Sequence, residues 1–134
     1  LHQYPFYPGT GAASETGEGA GGGATLNCPM KAGATDADYE HAFMTRILPA
    51  VDKFAPQAVI LSAGFDAHQA DPLAEIALST EFYGWMTQRM LEVADKHAGG
   101  RLMSILEGGY SLDALPLCVA EHVRHLCGAA QPTK

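Results

Sequence analysis

Two strand-length apolar runs with one long helical pattern between them constrain this fold more than any other feature. The first is Ala58-Val59-Ile60-Leu61-Ser62 and the second is Arg101-Leu102-Met103-Ser104-Ile105-Leu106. Between them Ser79 or Thr80 can cap a helix whose Phe82, Met86, Met90, Val93 and His97 share one face, and Gly99-Gly100 stops it. A strand, a crossover helix and a second strand predict a parallel α/β arrangement. Neither run alternates cleanly between apolar and polar residues, as expected of strands covered by helices on both faces. Two strands do not make such a sheet stable. The chain therefore reads as one part of a larger α/β unit, completed by further sequence, by another chain or by a second copy of itself.

The flanks follow the same logic. Tyr39, Phe43, Ile47, Val51 and Phe54 recur at helical spacing behind Asp36, which is placed as the N-cap. Pro49 lies inside that pattern and predicts a kink or break near Ile47 or Leu48. Asp113 is placed as the cap of a last helix running to about Leu126, with Leu115, Val119, His122 or Val123, and Leu126 facing inward. Pro116 is tolerable in its first turn. Residues 1–34 lack this periodicity: Pro5, Pro8, Gly9-Thr10-Gly11 and the glycine-rich 17–25 stretch give tightly turning backbone. Such a segment is either a solvated tail or an ordered loop around a site. Tyr4, Phe6 and Tyr7 favour the loop, because a solvated tail needs no aromatic load. The expected organisation is a loop region over 1–34 and a helix-strand-helix-strand-helix portion over 35–134.

Composition narrows the partners. Fifteen acidic residues against eight basic ones give a formal charge of -7, with no Lys/Arg block to neutralise phosphates, so direct nucleic-acid binding is not expected. Cys28, Cys118 and Cys127 are odd in number and fit no close metal spacing, which favours reduced thiols. No apolar stretch nears the roughly 20 residues needed to cross a bilayer, so no membrane partner is expected. No signal peptide is visible from Leu1 onward, a removed leader would leave no trace, and cytoplasmic is the expected location.

In an open α/β sheet, sites form beyond the carboxyl ends of the strands. The first strand leads into Gly64-Phe65-Asp66-Ala67-His68-Gln69-Ala70-Asp71-Pro72-Leu73 and the second into Glu107-Gly108-Gly109-Tyr110. Both loops leave on the same edge, so Asp66 and Tyr110 can converge. Asp66 is a candidate oxygen ligand for a divalent metal, or else a residue that caps a helix or ties down its loop by accepting backbone N–H bonds, as short carboxylates commonly do. A phenol at Tyr110, behind two glycines, can donate to a developing oxyanion; it can also pack under its loop. Glu107 reads as a catalytic carboxylate or as a loop anchor, His68 as a second ligand or a partly exposed loop histidine, and Asp71 as a turn or capping residue.

Taken together, Leu1-HQYPFYPGTG, the 17–29 stretch GEGAGGGATLNCP, Leu61-SAGFDAHQADPL and Leu106-EGGYSL resemble the histone-deacetylase and acetylpolyamine-amidohydrolase superfamily, in particular its class II-like branch. The resemblance runs from about Leu1 to Leu126. It implies the carboxyl-terminal portion of an arginase/deacetylase-like, parallel-sheet, three-layer α/β fold, and a zinc-dependent amide hydrolase. By the same resemblance Asp66 corresponds to a zinc ligand, Tyr110 to the tyrosine that stabilises the tetrahedral intermediate, and His68 to a position without a ligand role. Phe6 and Tyr7 correspond to the acyl-lysine tunnel, Gly108 and Gly109 to its inner wall. Leu73 corresponds to a wall position where polyamine-selective relatives carry an acidic residue. An apolar Leu73 points to acylated lysine or a small acylated amine as the substrate, with acetylpolyamine as the alternative. The chain contains neither the family's His-His dyad nor its upstream Asp-x-His metal pair. The complete parent is therefore expected to be the zinc enzyme, and this chain alone to be inactive. A non-catalytic interaction or scaffold domain is the second reading. A different α/β hydrolase is disfavoured by the lack of a Gly-x-Ser-x-Gly elbow.

Overall fold

The computed structural model describes residues 1–128; the end of the expected 35–134 portion lies outside them. In chain order the elements are β1 (His2–Gln3), β2 (Pro29–Met30), α1 (Asp36–Ala42), α2 (Leu48–Phe54), β3 (Val59–Ala63), α3 (Thr80–Ala98), β4 (Leu102–Leu106) and α4 (Ala114–Leu126). The predicted parallel pair forms with α3 as its crossover, in the register Val59↔Leu102 to Ala63↔Leu106. A second, two-residue parallel pair joins β1 to β2, His2 opposite Pro29 and Gln3 opposite Met30. It is too short to register as a period in the sequence.

Helix starts are set by side-chain oxygens, at two places not those expected. Thr35, rather than Asp36, is the N-cap of α1, in a capping box with Asp38. The Asp38 carboxylate accepts from the Thr35 backbone N–H at 2.9 Å, and that bond, more than the one from the Thr35 hydroxyl, holds its carboxyl below the usual range. Asp36 instead reaches across the fold, accepting the Ser79 N–H at 2.9 Å and the Ser79 hydroxyl at 2.7 Å. Ser79 caps α3 as expected, its oxygen accepting from Phe82 N–H. Asp113 stands at the N-cap of α4 but makes no capping bond; Ser111 Oγ accepts the Ala114 N–H at 3.2 Å.

Pro49 breaks the first helix where expected. Phe43–Ile47 forms a π turn, and the Leu48 N–H bonds to Phe43 O across five residues. Proline has no N–H for the carbonyl four residues back and crowds it, and the wider turn relieves that crowding. The extra width also rotates the apolar stripe. Tyr39 and Phe43 are buried, whereas Phe54, expected to face inward, is 78% exposed.

The core has two parts. One gathers Tyr39, Phe65, Ile76, Leu78, Phe82, Tyr83 and Cys118, with Leu115 and Val119 against it. The other joins Val59, Val93, Ala94 and Ala98, with Leu48, Val51, Leu61 and Leu102 alongside. The buried seam of α4 is Ala114, Cys118 and His122, while Val123 is exposed. His97, expected on the inner face of α3, instead bonds Asp52 of α2 at 2.8 Å. Leu78 is fully buried, so Leu78→Ala is expected to cost about 2–5 kcal/mol of unfolding free energy, read as a lower denaturation midpoint at unchanged slope.

The expectation of strands covered on both faces does not hold within the described residues. Val59, Leu61, Leu102 and Ser104 turn toward the helices, but the neighbouring Ile60 and Met103 are 63% and 52% exposed. Strand residues point alternately to opposite faces, and the described helices pack on one of them.

Candidate active site

Beyond their last paired residues, β3 and β4 stay together. Glu107 N–H donates to Ala63 O at 3.0 Å and Phe65 N–H to Gly108 O at 2.8 Å, so the two loops leave the sheet side by side. Between them and the aromatic turn at the start of the chain opens a cleft of about 710 Å³. Phe6, Tyr7, Asp66, Gly108 and Tyr110 all line it. Leu73 and Gly109 are not among its lining residues: Leu73 is 59% exposed, and its neighbour Ala74 lines the cleft instead.

The Asp66 carboxylate sits in a cradle that only glycine permits. A Cβ added at Gly64 would stand 2.9 Å from Asp66 Oδ1, and one at Gly108 would stand 3.0 Å from Asp66 Cγ. Its oxygens take no hydrogen bond from the described residues. Of the roles read from its sequence position, capping a helix or tying down the loop through backbone N–H bonds is therefore not what this carboxylate does. Its charge is felt by two buried phenols. Tyr39 is pushed well above the usual phenol range by burial first and then by Asp66; Tyr83 is raised by burial, then by Cys118 and Asp66. Gly109, at φ +138°, lets the second loop pass Phe65 and Leu115, where a Cβ would lie 3.1 Å from Phe65 Cβ and 2.9 Å from Leu115 Cδ1.

His68 is buried rather than partly exposed. Its Nδ1 accepts the Ala70 N–H at 3.1 Å, so Nε2 carries the proton and donates to Thr80 Oγ1 at 3.1 Å. Both ring nitrogens are engaged within the fold, which leaves neither for a metal. Asp71 does form the expected turn, Oδ1 accepting from Leu73 N–H at 2.9 Å and Ala74 N–H at 3.3 Å. It does more than that: Oδ2 accepts the Tyr110 N–H at 2.8 Å. Glu107 is exposed on the cleft edge.

The aromatic turn is itself anchored. His2 Nε2 bonds Gly11 O at 2.9 Å, and the Glu15 carboxylate accepts from the Gly11 and Ala12 N–H groups at 3.0 Å. Those two backbone bonds hold the Glu15 carboxyl below its usual range.

Sequence reasoning missed the helix residues of the cleft wall: Tyr39, Tyr83, Thr87 and His122. Thr87 Oγ1 donates to Tyr83 O at 2.6 Å, so at its 2.6 Å contact with His122 it accepts from Nδ1–H. His122 Nε2 then accepts from Ser104 Oγ at 2.8 Å. Burial, with a smaller contribution from His125, lowers the pKa of His122 and favours this neutral form. On a helix such residues look like core, and no sequence signal separates them from it.

Residues 1–126 match the histone deacetylase domain. The chain belongs to that family. It is similar to a probable deacetylase of Archaeoglobus fulgidus, 45% identical over 86% of this chain and 32% of the relative. It is also similar to histone deacetylase 10, chloroplastic, of Oryza sativa subsp. japonica, at 42% identity over 95% of this chain and 29% of the relative. Among solved structures, the HD domain of HDA15 superposes with a TM-score of 0.88 at 39% identity, over 98% of this chain and 37% of that one. The fold is thus the α/β fold of a histone deacetylase domain, and this chain spans about a third of the length of the curated relatives it matches.

A zinc site takes three or four protein ligands. Asp66 fits one such position on this histone deacetylase-family chain, but the described residues contain no group of three His, Cys, Asp or Glu that could hold a metal. Among the described residues no helix is long and apolar enough to cross a membrane.

Proposed function

We propose that this chain contributes one wall of the active site of a zinc-dependent amide hydrolase that removes acyl groups from lysine or a small acylated amine. The observation that carries the reading is the convergence of Asp66 and Tyr110, from loops after neighbouring parallel strands, on one cleft flanked by Phe6 and Tyr7. The reaction adds water to the acyl carbon and breaks its bond to nitrogen, releasing a carboxylate and an amine. Tyr110 donates its phenolic hydrogen to the oxygen that becomes negative when water adds. Phe6 and Tyr7 offer apolar faces to the aliphatic stem of the substrate, and Gly108 lets the acyl group approach the backbone. Bound zinc supplies Lewis acidity toward water and carbonyl, and Asp66 is the ligand this chain offers to it. The remaining ligands and the general base come from outside these residues, since the chain has no His-His dyad.

The open face of the sheet supports the same reading. Ile60, Met103 and Ile105 are exposed side by side, an apolar surface suited to the rest of a catalytic domain, to another protein chain or to a second copy. The test is hydrolysis of an acetyl-lysine peptide and of an acetylpolyamine, followed as free amine. The full-length protein carrying these residues is expected to cleave the peptide, and the homogeneous 134-residue chain to cleave neither. Turnover by the short chain would overturn its inactivity, cleavage of the polyamine alone would overturn the substrate assignment, and an inert full-length protein would overturn the hydrolase reading.

A further inference from the structure

We propose that Asp71 is a positioning residue that sets the reach of Tyr110 into the cleft. The inference rests on Tyr110 acting on the acyl oxygen as described above. Asp71 is only 9% exposed and belongs to the loop after β3, yet its two oxygens serve two loops. Oδ1 takes the Leu73 and Ala74 N–H groups of its own turn, and Oδ2 takes the Tyr110 N–H, 39 residues further along the chain. The Asp71 N–H donates in turn to His68 O at 2.8 Å, and His68 is fixed through both ring nitrogens. The carboxylate that receives Tyr110 is therefore mounted on a rigid segment.

Tyr110 needs such a mount. The residue is 54% exposed, so packing does little to fix it. It also follows Gly108 and Gly109, whose backbone freedom would otherwise let the loop wander. Phe65 N–H to Gly108 O fixes the loop on one side of Gly109, and Asp71 Oδ2 to Tyr110 N–H fixes it on the other. Hydrogen bonds to a charged acceptor are the stronger kind, and donors aimed at a transition state lose effect when misplaced by about 1 Å. Asp71 touches no substrate. It acts through the tyrosine.

Asp71→Asn isolates this role. An amide has one acceptor oxygen and one N–H₂ donor in place of two acceptors. The oxygen stays where it serves two donors, Leu73 and Ala74, and the amide N–H₂ then faces the Tyr110 N–H and repels it. In the full-length protein, Asp71→Asn is expected to lower kcat on an acetyl-lysine peptide by about tenfold or more with KM little changed, the scale on which a misplaced catalytic group loses rate. The same substitution placed on Tyr110→Phe should add almost nothing, because the group it positions is already gone. Amide hydrogen exchange over 108–110 should quicken in Asp71→Asn whether or not the protein turns over substrate. An unchanged kcat, or an equal fractional loss in the Tyr110→Phe background, overturns the positioning role. Unchanged exchange overturns the brace itself. If the wild-type protein does not hydrolyse the peptide, the hydrolase reading fails and takes the catalytic half of this inference with it, while exchange still decides whether the carboxylate holds the loop.

Discussion

Tyr110→Phe in the full-length protein is expected to lower kcat by about 10²–10³-fold, the usual consequence of deleting one donor to a developing oxyanion. KM should change little, because the hydroxyl is needed where negative charge develops and not where the substrate rests. Thermal stability should stay near wild type. The loop is held through the Tyr110 backbone N–H rather than through its ring, and the residue is more than half exposed. Single-turnover kinetics on an acetyl-lysine peptide separates the chemical step from binding. A kcat within a factor of about two of wild type is far too small a loss for an oxyanion donor and would remove Tyr110 from the mechanism.

Asp66→Ala is expected to abolish both zinc retention and hydrolysis. Partners that only orient a metal ligand change affinity by about 10–100-fold, and removal of the ligand itself should exceed that. Elemental analysis after gel filtration gives the readout independently of activity, with about one zinc per wild-type protein and almost none in the variant. The fold should tolerate the change, since the carboxylate takes no hydrogen bond from the described residues. Tyr39 and Tyr83 stay neutral in either case, because burial is the larger cause of their raised pKa. Full zinc retention by Asp66→Ala would show that this carboxylate is not a ligand. Its cradle of Gly64 and Gly108 would then need another explanation.

Several features were legible because they depend on neighbours close in sequence. Ser79 announced the start of α3, Pro49 the break in the first helix, and the two apolar runs the paired strands. The choice of cap at Thr35 over Asp36 was not legible, since both residue types cap helices well. It was decided by Ser79, which claims the Asp36 carboxylate from 43 residues away. The displaced stripe at Phe54 had a local cause, the π turn, but its size depends on how a helix relieves a proline.

By itself the sequence determined which loops follow the parallel strands and therefore which polar residues, Asp66 and Tyr110 among them, lie on one edge of the sheet. Strand order and crossover geometry are properties of the chain's own periodicity. Only the tertiary structure decided which of the neighbouring residues face the cleft. It brought in Tyr39, Tyr83, Thr87 and His122, left Leu73 outside, closed His68 into the core, and turned Asp71 from a local turn residue into the link between two loops. The physical reason is that a hydrogen bond across 39 residues, or a helix face turned to a cavity, leaves no mark in local spacing. Burial and partner atoms exist only once distant segments have packed.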